Sequence, residues 1–209
     1  MMAIQAKVLM DLAQGLLSDT YVRWTQAQML EYLSDGEVEA TALKPPAYIT
    51  STVVGLVAGT RQALPVRAVE LFRVAEALDA AGSVRPAPKV VATERLNDIL
   101  PAWRQARTDS VAQYVAYDVE NPLLFEVYPP QPDTGTGSVR LVCFATPPAF
   151  GVVTDTLHLA EAYHPALVDY LLYRCYQVDT DPASAQRAEA HYAAFAAKVK
   201  AVVPRETAQ

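Results

Sequence analysis

The side chains best suited to chemistry are concentrated in one segment near the C-terminal end of the chain. The stretch HLAEAYHPALVDYLLYRCYQVDTD (158–181) holds two of the three histidines, His158 and His164, and one of the two cysteines, Cys175. Histidine and thiolate ligands bind zinc, and a cysteine activated by a histidine is a nucleophile. The segment therefore suggests two kinds of site, a metal centre and a hydrolytic site.

The spacing of these residues argues against a metal centre. His164 and Cys175 fall on nearly the same face of a helix, but they lie about 16 Å apart along its axis. Zinc ligands approach the metal to about 2.0–2.3 Å, so one ion cannot bind both residues. The ligand patterns H-x-x-x-H, C-x-x-C and H-E-x-x-H do not occur in the sequence. We predict no metal and no cofactor.

A nucleophilic site is the second hypothesis. Cys175 could face His191 on the following helix, with Asp169 or Asp179 orienting the imidazole, which would make the chain a small Cys/His hydrolase. No G-x-S-x-G motif offers a serine nucleophile instead.

A structural interpretation of the cysteines competes with that hypothesis and is favoured. Leu167, Leu171 and Cys175 recur at four-residue spacing, and a cysteine on such a helix face behaves as a small core side chain. Cys143 alternates with apolar residues in a predicted strand, so the same interpretation applies to it. We therefore predict no catalytic residues.

Two further motifs resemble anion and cation sites. DTGTGS (133–138) contains G-x-G, but it is predicted to join two strands, whereas a phosphate-binding loop precedes a helix. DTD (179–181) carries two carboxylates, but Asp181 precedes Pro182 and is suited to cap a helix that begins there. A hairpin loop and a hydrated linker are the favoured interpretations.

Helices are predicted at both ends of the chain. The first covers about residues 3–18 and carries four apolar residues on one face: Ile4, Val8, Leu12 and Leu16. The second begins at Thr25, which forms a capping-box pattern with Gln28, and ends before Pro45. Gly36 weakens this prediction, because glycine inside a helix costs about 1 kcal/mol relative to alanine. Two more helices are predicted at 162–178 and 182–203.

The middle of the chain is predicted to be β-rich. YITSTVVGLVAGTRQALPV (48–66) is apolar and β-branched, with a turn at Gly59, and is predicted to be a hairpin. The segment 68–78 is predicted to be a strand, and 92–103 a short helix that stops before Pro101. From Val111 to Thr146 the pattern predicts a three-strand meander.

These elements predict an α+β fold. A helical bundle from the N-terminal and C-terminal helices carries an inserted antiparallel β-rich region that consists of the hairpin and the meander. We expect a single domain over 1–209, with a helical body at 1–46 and 158–203, a β-rich insertion at 47–157, and a flexible tail at 204–209.

The composition excludes several classes of protein. Apolar residues make up 52% and charged residues 19%, which is typical of a folded globular chain. The net charge of −6 gives no overall attraction to nucleic acid. No run of ~18 apolar residues occurs, so we predict no membrane association. Two cysteines are too few for a secreted disulfide scaffold.

The predicted helix 162–178 is rich in tyrosine. Tyr173 and Tyr176 lie on a different side of it from Leu167 and Leu171. Tyrosine suits a protein interface, because its ring is apolar and its hydroxyl is polar. Contact with another helix of the same chain is an equally weighted alternative.

Four longer blocks carry a resemblance. They are RWTQAQMLEYLSDGEVEATALKP (23–45), VAGTRQALP (57–65), YDVENPLLFEVYPP (117–130) and HPALVDYLLYRCYQVDTDPASAQRAEAHYAAF (164–195). Their packing and turn patterns resemble head-to-tail adaptor (connector, or head-completion) proteins of tailed bacteriophages. The blocks extend over most of the chain, from Arg23 to Phe195, and none is a catalytic signature.

The resemblance implies a structural virion protein at the head–tail junction, or neck, made in the host cytoplasm and without enzymatic activity. Its copies would form a homo-oligomeric ring, typically dodecameric, docked on the portal protein. The ring would pass double-stranded DNA through a central channel without sequence-specific binding and would present a platform to a downstream tail protein. A tail-tube or tail-completion assembly subunit is the alternative.

Interfaces are expected with three kinds of partner. Contact with the portal is expected at the end of the last helix and the tail (198–209), which contains Lys198, Lys200 and Arg205. Contact with neighbouring copies is expected at Tyr173 and Tyr176 and at the hairpin 50–66. The loop 131–138 is the candidate contact for the next tail component.

Overall fold

The computed structural model describes residues 4–178 and 181–203. The chain divides into two compact units. One comprises Met1–Tyr48 with Thr146–Gln209, and the other comprises Ile49–Ala145. The first unit is helical and the second contains both β-sheets. The α+β class is confirmed.

The helical unit contains the helices predicted from the chain ends. They are α1 (Ala6–Leu17), α2 (Gln26–Leu43), α4 (His164–Gln177) and α5 (Pro182–Ala201). Thr25 and Gln28 form the predicted capping box at the start of α2. Asp181 caps α5, where its carboxylate accepts the Ala183 N–H. Short polar contacts fix these helix ends, so local sequence predicts them well.

The helix α4 is central to the core of this unit. Leu167, Leu171 and Cys175 are all fully buried, as their spacing predicted. Gly36 of α2 lies against α4, and a Cβ built on it would come within 2.8 Å of Tyr170 Cδ1. Glycine at this position therefore allows the aromatic ring to pack against the α2 backbone, which explains a residue that weakened the helix prediction.

The helix α1 buries a different face from its most regular apolar stripe. Leu9 and Met10 are buried between two fully buried alanines, Ala6 and Ala13. The residues Val8, Leu12 and Leu16 share a face as predicted, but that face is exposed. Small side chains at both ends of the buried face allow close approach of α1 to its neighbours.

The β unit contains eight strands and one short helix. The strands are β1 (Ile49–Gly55), β2 (Gly59–Ala63), β3 (Ala68–Leu78), β4 (Val84–Arg85), β5 (Lys89–Val91), β6 (Tyr114–Tyr117), β7 (Leu124–Gln131) and β8 (Ser138–Ala145), and the helix α3 covers Thr93–Ile99. One sheet has the order β1-β8-β3-β4 and the other β2-β7-β6-β5. All pairs are antiparallel except β5 with β6.

The predicted pairing of the strands is wrong in two places. β1 and β2 do not form a hairpin, because β1 pairs with β8 and β2 pairs with β7 in the other sheet. The meander stops after β6 and β7, since β8 pairs with β1 and β3. Sequence adjacency suggested both local pairings, but the connections 56–58 and 132–137 pass from one sheet to the other.

The DTGTGS segment therefore lies on a crossover between sheets and not in a hairpin loop. Buried Gln131 orders this crossover: its amide nitrogen donates to Asp109 O and its amide oxygen accepts the Gly137 N–H at 2.9 Å. A Cβ on Gly137 would lie 1.9 Å from Ser110 O, so only glycine fits there.

Candidate interaction surface

An apolar groove lies between α1, α4 and α5 in the helical unit. Its volume is about 540 Å³, and its apolar lining includes Leu9, Leu12, Leu16, Val168 and Leu172. Leu9, Leu12 and Leu16 come from α1, and Val168 and Leu172 come from α4, so the groove follows the seam between these helices.

The exposed stripe of α1 extends the groove into a larger apolar surface. The exposed fractions of Val8, Leu12 and Leu16 are 54%, 55% and 59%. Leu12 and Leu16 also line the groove, so the stripe and the groove are continuous. Contiguous apolar surface of this kind marks sites where proteins bind other molecules, most often other proteins.

One side of the groove is polar and is organised by a single carboxylate. Asp169 is largely buried and accepts hydrogen bonds from two residues of α5, the imidazole of His191 at 3.0 Å and the ammonium group of Lys198. These contacts join α4 to α5 beside the apolar lining. Burial lowers the pKa of His164, which also lines the groove.

The structure brings together two of the residues predicted to form an interface. Tyr176 and Lys198 both line the groove. Tyr173 lies elsewhere, in a smaller depression between α4 and α5 with Tyr192. The Lys200 carbonyl accepts from the Lys44 ammonium group, and Arg205 lies outside the described residues.

The tyrosines of α4 make much of their contact within the chain. The ring of Tyr176 stacks on His191 with centroids 5.7 Å apart, and Tyr173 contacts the rings of Tyr170 and Tyr192. Both tyrosines remain partly exposed. Contact inside the chain, one of the two alternatives, thus accounts for their buried parts, and their role in an interface stays a prediction.

The cysteines occupy the cores that their spacing predicted. Cys175 lies in the helical core with its Sγ 3.5 Å from Met29 Sδ, and burial raises its pKa to about 12. Cys143 lies in the core of the β unit, and burial raises its pKa to about 11. A thiol is a nucleophile only as thiolate, so these environments disfavour the hydrolase hypothesis. His191 contacts Asp169, one of the two carboxylates suggested to orient it, but the Cys175 Sγ contacts Met29 Sδ in the core.

The described residues contain neither a candidate metal-ion cluster nor a candidate membrane-spanning helix. In 4–178 and 181–203, no group of three His, Cys, Asp or Glu side chains is placed to hold a metal ion. The first two residues of the DTD motif lie outside this part of the chain, and Asp181 is the cap of α5. Among the described helices, none is long and apolar enough to cross a membrane.

The sequence signal for the groove is the apolar stripe Ile4, Val8, Leu12 and Leu16. The spacing of this stripe predicts a helix, but it does not predict which face of that helix is buried. Because α1 is apolar on more than one side, periodicity alone cannot say which side meets the core.

An exposed apolar helix face beside an apolar groove, together with two thiols buried in cores, is typical of a structural protein that binds other proteins. The family model described as SU10 adaptor protein matches residues 4–209. The chain belongs to this family of phage head–tail adaptors and is thus a structural phage protein that contacts other head or tail proteins. No curated protein matches the chain significantly.

Proposed function

We propose that this adaptor is the subunit of a ring, dodecameric as is typical of head-to-tail adaptors, that docks on the portal protein and joins the phage head to its tail. DNA passes through the central channel of the ring on its way into or out of the head. The protein has no chemical step to perform in this role, and its mechanism is the geometry of its contacts.

The observation that supports the ring is the apolar surface formed by Val8, Leu12, Leu16 and the adjoining groove. A heterologous ring interface joins two different surfaces of the same protein, and rotation closes the ring. The exposed face of α1 is one such surface, which would be covered by the next copy in the ring. Burial of the remaining exposed half of the three side chains would stabilise each contact by about 1–1.5 kcal/mol per residue.

The remaining contacts are assigned by position in the chain. We assign the portal contact to the C-terminal end of α5 and the residues that follow it (198–209). Lys44 supports that helix end by donating to the carbonyls of Lys200 and Val202, which have no partner in the helix. We assign the contact with the next tail component to the crossover 131–138.

The net charge of −6 suits a channel through which DNA slides without being held.

Particles made without this protein test the proposal. We expect a phage with the gene interrupted to make filled heads that lose their DNA and carry no tails, and complementation in trans should restore tailed particles. Electron microscopy and nuclease sensitivity of the packaged DNA give the two measurements. Stable heads that retain their DNA would contradict a head–tail joining role and would favour a tail-completion subunit.

Recruitment by the portal tests the docking step separately. The purified portal, mixed with the adaptor, should give a complex with several adaptor copies on each portal, measured by native mass spectrometry. If the portal recruits no adaptor under these conditions, the docking assignment is wrong.

A further inference from the structure

The strand β1 forms an open edge of its sheet. It is seven residues long (ITSTVVG), and its one neighbour in the fully described unit 49–145 is β8. The register between β1 and β8 runs from Ile49 with Phe144 to Gly55 with Ser138 without a shift. A regular strand at a sheet edge presents N–H and C=O groups that another strand can pair with.

The other edges of the two sheets carry features that discourage such pairing. β2 contains Arg61 and an irregular register, while β4 is only two residues long. β5 has three residues and begins with Lys89, directly after Pro88. Charges, irregularities and short length are the usual means of protecting an edge.

β1 has none of these protections. It contains no charged residue and no proline, and five of its seven residues are exposed. Ile49 and Val53 are exposed on one face of the sheet, at 47% and 43%. β-branched residues make up most of its sequence, which favours an extended conformation in any strand that joins it.

The sequence of β1 is complementary to itself. In an antiparallel pair of two β1 strands with full overlap, Thr52 lies opposite Thr52 of the second copy. The same register places Thr50 opposite Val54 and Ser51 opposite Val53, and no charges meet. Cross-strand pairs between β-branched residues and between threonines are favourable.

From this edge and its register we infer that two copies of the chain associate through antiparallel pairing of their β1 strands, centred on Thr52. The pairing joins two four-stranded sheets into one of eight strands. A two-fold contact of this kind closes on itself and cannot propagate around a ring. It is therefore separate from the proposed ring contact on α1, and either one can fail without the other.

Cysteine cross-linking tests the register. Thr52→Cys places two thiols directly opposite each other, at a Cα separation of about 4.5–5.5 Å that a disulfide can bridge. Thr50→Cys is the matched control, because that position faces Val54 of the second copy. With copper–phenanthroline as oxidant, we expect a disulfide-linked dimer from Thr52→Cys and little from Thr50→Cys. The native thiols are buried and add little background.

Charged substitutions at Thr52 test the contact without an oxidant. Thr52→Lys and Thr52→Glu each place like charges opposite each other, so each alone should dimerise about fivefold more weakly than the parent chain. A mixture of the two should form a heterodimer and recover most of the affinity. Sedimentation over micromolar to near-millimolar concentrations measures both, with circular dichroism to check folding.

Three results would overturn the inference. The parent chain could remain monomeric over the whole concentration range. Thr50→Cys could cross-link as well as Thr52→Cys, which would exclude this register. Finally, the dimer could persist unchanged in both charged variants, which would place the contact on another surface. None of these results bears on the ring, which is tested with the portal and with α1 variants.

Discussion

The carboxylate of Glu37 holds His158 by two contacts at once. Oε2 lies 2.7 Å from His158 Nδ1, and Oε1 accepts the backbone N–H of His158 at 2.9 Å. Oε1 also accepts the N–H of Leu159. Glu37 is fully buried on α2, so a single carboxylate attaches the segment that leads into α4 to α2.

Loss of that carboxylate should destabilise the helical unit strongly. We expect Glu37→Ala to lower the free energy of unfolding by about 3 kcal/mol or more, because it leaves buried donors without an acceptor. Urea denaturation followed by circular dichroism measures the change. Glu31→Ala, an exposed position on the same helix, should stay within about 0.5 kcal/mol. Equal effects of the two substitutions would refute the role assigned to Glu37.

Two glycines in helices should respond oppositely to alanine. Gly36→Ala places a methyl group within 2.8 Å of the Tyr170 ring. Overpacking of this kind costs about 1–3 kcal/mol, which exceeds the stability gained from the higher helix propensity of alanine. Gly15→Ala in α1 meets nothing within 4 Å and should stabilise by up to about 1 kcal/mol. Thermal unfolding of the two variants gives the comparison. A stabilised Gly36→Ala variant would show that the ring moves aside freely.

Both thiols should be unreactive in the folded protein. Burial raises the pKa of Cys175 to about 12 and that of Cys143 to about 11, so neither is a thiolate at neutral pH. We expect a chromogenic disulfide reagent to titrate no thiol in native buffer and both in guanidinium chloride. Cys175→Ser should still complement a phage that lacks the gene. Rapid reaction of Cys175 in the native state would reopen the hydrolase hypothesis.

Acidification should destabilise the protein partly through His164. Burial lowers the pKa of this imidazole, so the unfolded chain takes up the proton at a higher pH than the folded chain does. The stability should therefore fall as the pH drops below the ordinary histidine value of about 6.5. We expect His164→Gln to lose less stability than the parent chain between about pH 7 and pH 5, where most carboxylates are still ionised. If urea denaturation shows the same loss of stability in both proteins, groups other than His164 cause the pH dependence.

The exposed face of α1 should matter for assembly and not for folding. Leu12→Glu and Leu16→Glu change side chains that are more than half exposed, so each should alter the free energy of unfolding by less than about 0.5 kcal/mol. If this face binds the next copy, a buried unpaired carboxylate should prevent ring formation on the portal. Val22→Glu, at an 81% exposed position that does not line the groove, is the control. Normal rings from both leucine variants would exclude α1 from the ring interface.

Local sequence was sufficient to predict much of this molecule. The capping box of Thr25 and Gln28, the cap of α5 at Asp181 and the strand 68–78 are all confirmed. The burial of Cys175 followed from four-residue spacing along a single helix. Each of these features depends on residues that are close together in the sequence. The interactions that determine it therefore lie within a short stretch of chain.

The tertiary structure decided which partners those elements find. The sequence could not show that β1 pairs with β8, nor that Glu37 binds a backbone segment 121 residues away. It could not show which side of α1 is buried, because apolar residues occur on more than one side and the two alanines that permit close packing are not conspicuous. Strand pairing, helix docking and the burial of a charge depend on free energies summed over distant segments. These free energies are determined only when the whole core is assembled.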